Sequence, residues 1–528
     1  MKLINGIFSY LYSQQLPLEK EDIFLKQKNV MQRLLIHYAS SPLYRNLHIK
    51  QEKIKNYNSH QLKEYFASSS YRIVDYGADI LSLVEQGSGI TASKPDLHIK
   101  TSGTSDAKQG GKLIPAQRSS FHNERQAIQR TLAYYLKENP QSKVFLPYSF
   151  VLSAPFDTSK RIGYISGAMR YGNKFVESIF LPSSSVLTTL TNQEKKEKII
   201  QELCHKKPNI RSFHGVPARP LGVIDELIER DAQIARQILS RLEYISIGGG
   251  TPQDYKLQYK KRLESLGLRQ KLYGSNNHNA SEGFFGAQMR NFEDLSFHAM
   301  VPLYRSNFFL FVGKEEYQQR KSGQRSTSSM IMASHLLHEV QSDQEYFMLF
   351  ANDRIPRLYD IKDKVRFSSW KAGDPLEYEV VGRYSMSSNI MNEHIESDVL
   401  QQVISELYEQ GYQLNAQAFV AGMEVNEAKT SAQFHIIIEG AITSDQQIDQ
   451  LTRDFDVLLG KKNEQRKFFR ERNTRITGCH VVIVADGFIR STMMVLGLGH
   501  EQSKIPYLSD GNYESIVKPL LHYEKRVR

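Results

Sequence analysis

Twelve residues, Thr101-Ser102-Gly103-Thr104-Ser105-Asp106-Ala107-Lys108-Gln109-Gly110-Gly111-Lys112, constrain this chain more than any other stretch. They gather hydroxyls, glycines and lysines between Leu97-His98-Ile99-Lys100, an alternating strand, and a helical pattern from Gln117 to Glu138. Strand, donor-rich loop and helix in that order make a cradle for a small anion, and phosphate best matches backbone N–H, hydroxyl and ammonium donors. The stretch is not a P-loop, because no G-x-x-x-x-G-K-[ST] can be read in it. The same residues also suit an ordinary solvated loop, so its meaning depends on the rest of the chain.

At 528 residues the chain is too long for one core, and two or three domains are expected. Hydrophobic content of 40% and charged content of 24% describe a soluble globular protein. No apolar run approaches the roughly 18 residues of a membrane span. Met1 to Phe8 reads as the start of an amphipathic helix rather than a signal peptide. The two cysteines, Cys204 and Cys479, form no metal-type cluster or disulfide framework, so a reducing, cytoplasmic location is expected. The net charge of +11 favours anionic partners. The basic residues are spread along the chain, however, and no zinc finger, RNP-type motif or basic tail is present, so a small anionic substrate is favoured over nucleic acid.

Strand and helix patterns alternate through the first part of the chain. Residues 18–69 read as helical, Lys143-Val144-Phe145-Leu146 as a strand, Glu194 to Leu203 as a helix and Asn209 to His214 as a strand leading into Gly215-Val216-Pro217. Leu221 to Leu242 reads as one helix, and Tyr244-Ile245-Ser246-Ile247 as a buried strand ending in Gly248-Gly249-Gly250. The expected fold is α/β, a large N-terminal domain of sheets flanked by helices, residues 1–384. Within it, Phe308 to Val312 and Tyr346 to Phe350 read as paired strands, and Glu377 to Val381 as another. A small C-terminal α+β domain, residues 385–528, is expected beyond a hinge close to Arg383. Its elements are a helix over Glu393–Gly411, strands at Ala416–Val420 and Phe434–Glu439, and a helix over Gln446–Arg470.

Three further motifs carry chemistry. His278-Asn279-Ala280-Ser281-Glu282-Gly283 follows Lys271 to Gly274, an expected strand end; Glu282 can ligate a hard cation while Ser281 donates to a phosphoryl oxygen. A surface turn with a capping serine is the plainer alternative. In Tyr359-Asp360-Ile361-Lys362-Asp363-Lys364-Val365-Arg366, a carboxylate entering an alternating strand can accept from a ribose diol, or serve only a salt bridge. Lys504, in Gln502-Ser503-Lys504-Ile505-Pro506, can neutralise charge developing on an oxygen.

As an ordered set, these motifs resemble the acyl-acid amido synthetases of the auxin-conjugating (Gretchen Hagen) type, a branch of the adenylate-forming enzymes. The family's S/T-S-G-T-S with a following lysine and L-I-P matches Thr101 to Ser105, Lys112 and Leu113 to Pro115. Its Y-x-A/S-S-E-G matches Ala280 to Gly283, and its Y-x-x-G-D-x-V-R matches Tyr359, Asp363, Val365 and Arg366. Gly382-Arg383 matches the G-R before the small domain, and Gln502, Lys504 and Pro506 match the terminal Q-x-K-x-P. Gly248-Gly249 and Gly215-Val216-Pro217 fall where the family has a G-G turn and a G-V-P segment. Four positions depart from the pattern. Asp106 stands among residues that are usually small, His278 replaces a tyrosine, Lys362 replaces the glycine before Asp363, and Tyr507 replaces an arginine.

The resemblance implies ATP and Mg²⁺ as cofactors. It also implies ATP-dependent activation of a small carboxylic acid as its adenylate, then acyl transfer to an amine, most naturally an amino acid. A thiol acceptor, as in acyl-CoA ligases, or a non-catalytic nucleotide-binding protein on the same scaffold are the alternatives. By the same resemblance Ser102, Gly103, Thr104, Ser105 and Lys112 contact phosphate, and Ser281 assists them. Gly249 and His278 would face the adenine and Asp363 the ribose, Ala280, Tyr359 and Arg383 would also bind the cofactor, and Glu282 would hold the metal. Lys504 would act in one half-reaction, brought in by rotation of a mobile small domain. Phe145, Tyr148, Phe150, Phe213 and Val216 are candidates for the acyl pocket.

Overall fold

The computed structural model describes residues 2–12, 20–38, 56–68, 73–86, 90, 94–100, 112–144, 148–151, 156–157, 159–163, 167–168, 180–183, 192–206, 209–215, 218–248, 253–295, 297–321, 323–370, 374–384, 387–390, 393–425, 432–441, 444–462, 476–498, 507–508 and 513–527. The chain divides into two compact units, one formed by Met1–Thr101 with Lys112–Val380 and the other by Val381–Arg528. The architecture is mixed α/β.

The larger unit holds three sheets. The first contains β1 (Leu97–Lys100), β2 (Leu113–Ala116), β4 (Phe156–Asp157) and β5 (Ile162–Gly163), in the order β2-β1-β5-β4. β1 and β2 are antiparallel with Lys100 opposite Leu113, so the two ends of the 101–112 loop are registered against each other.

The second sheet has seven strands: β3 (Tyr148–Val151), β6 (Phe180–Leu181), β7 (Ile210–Gly215), β8 (Tyr244–Gly248), β9 (Tyr273–Ala280), β10 (Gly283–Ala287) and β11 (Val301–Pro302). Their order is β11-β10-β9-β8-β7-β3-β6, parallel from β6 to β9 and antiparallel beyond. Parallel strands need crossovers, and helices Asn192–Lys206, Ala218–Arg230, Ala232–Leu239 and Gln253–Ser265 intervene between them. Their apolar faces meet the sheet in one core containing Leu203, Leu221, Ile224, Leu227, Ile238 and Ile245.

The third sheet runs β13-β12-β14-β15-β16, from β12 (Phe308–Gly313), β13 (His335–Leu336), β14 (Glu345–Ala351), β15 (Tyr359–Phe367) and β16 (Tyr378–Arg383). The aromatic runs on β12 and β14 pair antiparallel, Phe308 opposite Ala351 and Leu310 opposite Leu349, as their composition predicts.

Four local expectations are corrected. Leu221–Leu242 is two helices, because the Asp231 carboxylate takes the N–H groups of Gln233 and Ile234, both at 2.9 Å, and starts a new one. Lys143 and Val144 lie outside any strand, their N–H groups held by the Glu243 carboxylate and the Ser142 hydroxyl; the strand begins at Tyr148. Lys271–Gly274 leads into a strand rather than ending one, since β9 runs from Tyr273 to Ala280. In the smaller unit, Glu393–Glu396 is a strand, β18, paired with β17 (Ser387–Ile390), and its helix begins only at Ser397.

The smaller unit is built on β19 (Leu414–Val425), β20 (Ala432–Gly440) and β21 (Ile476–Val484). Strand alternation decides which helices cover which face. Phe419, Ala421, Phe434 and Ile436 pack with Leu400 and Ile404 of helix Ser397–Glu409 and with Phe455 of helix Asp445–Lys462. Val420 and Ile437 point the other way, to Ile489, Val517 and Leu520.

Candidate active site

β7, β8 and β9 run parallel in register, with Gly215 opposite Ile247 and Gly248 opposite Asn277, and β9 continues to Ala280. The carboxyl ends of parallel strands are where α/β sheets carry their ligand loops. β8 approaches β9 so closely that a Cβ on Gly248 would lie 2.1 Å from the Asn277 side-chain oxygen, so only glycine fits there.

β9 carries unusually polar residues into the interior. The sequence Ser275-Asn276-Asn277-His278 is accommodated because each side chain or its backbone finds a partner. Tyr244 donates to the Ser275 hydroxyl at 2.6 Å, Gln288 accepts from the Asn276 N–H at 3.0 Å, and Asn277 donates to the Ile247 carbonyl at 3.0 Å. Burial pushes the Tyr244 hydroxyl up to about 12, so it stays a donor.

His278 is held at both ring nitrogens. Nε2 lies 3.0 Å from Oδ2 of Asp363, and Nδ1 lies 2.9 Å from the Tyr378 hydroxyl. A carboxylate only accepts, so Nε2 carries the proton. Burial, then the Asp363 charge, hold the Tyr378 hydroxyl well above its ordinary range, so it keeps its proton. The result is a hydrogen-bonded chain from Tyr378 through His278 to Asp363. Gly286 leaves the room that Tyr378 needs, since a Cβ there would lie 2.2 Å from the hydroxyl.

Asp363 is aimed by an irregularity in β15. The pairing with β14 passes from Phe347–Lys364 to Leu349–Asp360, so three residues bulge out opposite one. Lys362, at the bulge, has φ of 65°. It occupies the left-handed conformation that a glycine would adopt freely. Asp360, four residues from Lys364, is instead bound by Tyr317 at 2.6 Å and Lys321 at 3.1 Å, which separates the two carboxylates of this motif by role.

The Ser281–Glu282 turn joins β9 to β10 and abuts the end of β1 that leads into the 101–112 loop. The Ser281 hydroxyl donates to the Lys100 carbonyl at 3.1 Å, at the end of β1. At the start of β2, the Leu113 N–H donates to the Tyr76 hydroxyl at 2.7 Å, and the Lys112 ammonium lies 5.1 Å from the Tyr76 ring centre. Burial raises the Tyr76 hydroxyl above its ordinary range, and the Glu282 charge adds to it. Glu282 is buried, 7% exposed, and among the described residues no donor hydrogen-bonds its carboxylate.

The turn is fixed from behind. Asn352 donates to the Glu282 carbonyl at 3.1 Å, and Arg354 donates to the Ser281 carbonyl at 3.3 Å. The Arg354 guanidinium also pairs with the buried Glu124 and lies 4.5 Å from the Phe121 ring centre. Tyr76, Asn352, Arg354 and Tyr378 were invisible as site residues in the sequence, because each supports the motifs from a distant, unpatterned segment.

Of the sequence candidates, Lys112, His278, Ala280, Ser281, Glu282, Tyr359 and Asp363 lie in the described larger unit. Tyr359 is buried on β15, its ring 5.8 Å from Phe350, and it bridges Val74. Ser102, Gly103, Thr104, Ser105, Gly249 and Lys504, and the side chain of Arg383, lie outside the described residues. Phe150 and Phe213 are fully buried in the sheet core, their rings 4.8 Å apart and tilted by 50°, while Phe145, Val216 and the side chain of Tyr148 lie outside the described residues. Among the described residues no group of three or more His, Cys, Asp or Glu could hold a metal, and no helix is long and apolar enough to cross a membrane.

The fold is that of the adenylate-forming ligases. A GH3.15 acyl acid amido synthetase in complex with 2,4-DB superimposes with a TM-score of 0.74 at 13% identity, covering 99% of this chain and 96% of that one. Another structure of GH3.15 acyl acid amido synthetase gives 0.71 at 14% identity, covering 95% and 93%. A 2-hydroxyisobutyryl-CoA ligase in the postadenylation state, in complex with 2-HIB-AMP, gives 0.58 at 12% identity, covering 95% and 92%. No family model matches the sequence, and no curated protein matches it significantly.

Proposed function

We propose that this protein is an ATP-dependent ligase that adenylates a carboxylic acid and passes the acyl group to an amine. The observation that carries the reading is the hydrogen bond from the Ser281–Glu282 turn to Lys100, at the strand end that leads into the 101–112 loop, together with Asp363 held by His278 on the strand that leads into that turn. Residues far apart in sequence, on β1, β9 and β15, thereby support one nucleotide-site reading.

In the first half-reaction a carboxylate oxygen attacks the α-phosphorus of ATP. A new P–O bond forms, the bond to the bridging oxygen breaks, and pyrophosphate leaves. In the second, the amine nitrogen attacks the acyl carbon, AMP departs and the nitrogen loses a proton. Two anions must be brought together, so compensating positive charge is the main requirement. Ser102, Thr104, Ser105 and Lys112 supply donors to the phosphates, and Ser281 fixes the loop stem through Lys100.

A buried carboxylate that no described donor reaches suits a hard cation, and Mg²⁺ is commonly held by one or two carboxylates plus substrate phosphates. Glu282 would hold it, and the ion would neutralise phosphate charge. Asp363 accepts from the ribose diol, one of its oxygens being engaged by His278. With both ring nitrogens engaged and 7% of the residue exposed, His278 serves as the positioner of Asp363 in this reading and Gly249 remains the adenine neighbour. Lys504 would enter with the smaller unit, Arg383 lying near the hinge.

ATP–pyrophosphate exchange against a panel of carboxylic acids tests the proposal. Acid-dependent exchange supports it, and amide formation with an amino acid against thioester formation with coenzyme A identifies the acceptor. No exchange with any acid, alongside retained ATP binding, makes the protein a nucleotide-binding module instead.

A further inference from the structure

A cavity of about 380 Å³ opens in the larger unit where helix Lys20–Tyr38 meets helix His122–Glu138 and the segment after β11. Arg33, Arg130 and Arg305 line it together with His122, Gln126 and Ser306, and none of its described lining residues is acidic. His122, Gln126 and Arg130 share one helix face at four-residue spacing. Among the described residues Arg33 makes one long ion pair, to Asp353 at 3.4 Å, and its buried Nε has no acceptor. Arg130 has no ion pair or hydrogen bond among the described residues, and burial followed by the charge of Arg305 lowers its affinity for its proton.

Guanidinium groups gathered around a cavity with no acidic residue in its described lining repel one another, and the buried Nε of Arg33 finds no acceptor among the described residues. Their planar forks match a tetrahedral oxyanion, for which several can donate at once. We infer that this cavity binds the phosphate group of a small molecule. The site uses none of the residues assigned to ATP and stands whether or not adenylation is the protein's activity. It does touch that machinery through one link: Arg33 contacts Asp353, whose neighbour Arg354 holds the Ser281 carbonyl.

The test is isothermal titration with inorganic phosphate and with glycerol 3-phosphate at constant ionic strength, acetate serving as control, on the wild type, Arg130→Gln and Arg33→Gln. Wild type is expected to bind phosphate in preference to acetate, and Arg130→Gln to bind roughly tenfold more weakly, the scale of losing one charge-assisted contact. Without anion, Arg130→Gln should melt no lower than wild type, because one of three like charges is gone. Any phosphate bound at the 101–112 loop is common to all three proteins, so the difference between them isolates the cavity. Tighter binding of glycerol 3-phosphate identifies a phosphate ester as the ligand, and equal binding identifies free phosphate. Equal affinity of wild type and both variants, or no binding by wild type, overturns the inference.

Discussion

Asp363 and His278 lie 85 residues apart in the chain and 3.0 Å apart in space, the carboxylate accepting from a ring whose other nitrogen is held by Tyr378. The pair joins the third sheet to the second at the strand that leads into the Ser281–Glu282 turn. Replacing Asp363 with asparagine should raise the KM for ATP in pyrophosphate exchange by about tenfold, as expected for one lost charge-assisted hydrogen bond, with a smaller effect on kcat. His278→Gln should move KM in the same direction by less. The double variant should then resemble Asp363→Asn alone, because the two act as one unit. Additive losses would mean that His278 contacts nucleotide directly.

Glu282→Gln separates a metal ligand from a structural acid. Exchange should fall by roughly 100-fold or more, the scale of removing one electrostatic stabiliser. Melting temperature in Mg²⁺-free buffer should be unchanged or higher, since the variant removes a buried charge that no described donor satisfies. A clear drop in melting temperature would show that the carboxylate is a structural partner.

Glu439 in the smaller unit accepts from the Gly487 and Ile489 N–H groups at 2.8 and 2.9 Å, yet burial pushes its carboxyl up to about 7. The folded state therefore binds a proton that the unfolded chain has released above its ordinary value of 4.5. Stability of this unit should fall as pH rises from about 4.5 to 7, by roughly 3 kcal/mol. Glu439→Gln should be less stable at pH 5, because its amide nitrogen must face a backbone N–H, but its pH slope in chemical denaturation should vanish. An unchanged slope would assign the titration to another group.

Lys362 has a φ of 65°, a conformation costing a residue with a Cβ about 1 kcal/mol. Lys362→Gly should leave exchange activity intact and raise stability by a few tenths to about 1 kcal/mol, the gain being reduced by the greater freedom of glycine in the unfolded chain. Loss of ATP binding in this variant would show that the lysine side chain has its own role.

Strands built from aromatic and branched residues, such as Phe308–Val312 and Tyr346–Phe350, were legible because burial on both faces selects that composition. β9 was not. Ser275, Asn276, Asn277 and His278 carry no strand pattern in their polarity, and the donors and acceptors brought by Tyr244, Gln288, Asp363 and Tyr378 let them form an interior strand. Sites break the pattern rules that reveal ordinary structure. The motifs at Ser281–Glu282 and Asp363 were found by their order, whereas the turn that carries Asn352 and Arg354 has no signature of its own. The arginine cavity was equally hidden, since its cations come from positions 33, 130 and 305.

The bulge at Lys362 keeps its shape without a glycine, held by strand pairing on either side and by the bond from the Lys362 N–H to Asp360. What such a turn has to preserve is the direction of the carboxylate that follows it, and a residue able to bear the conformation can supply that as well as one that adopts it freely. Shape of this kind resides in dihedral angles more than in letters, and the chain superimposes along 99% of its length on a structure with which it shares 13% of its residues.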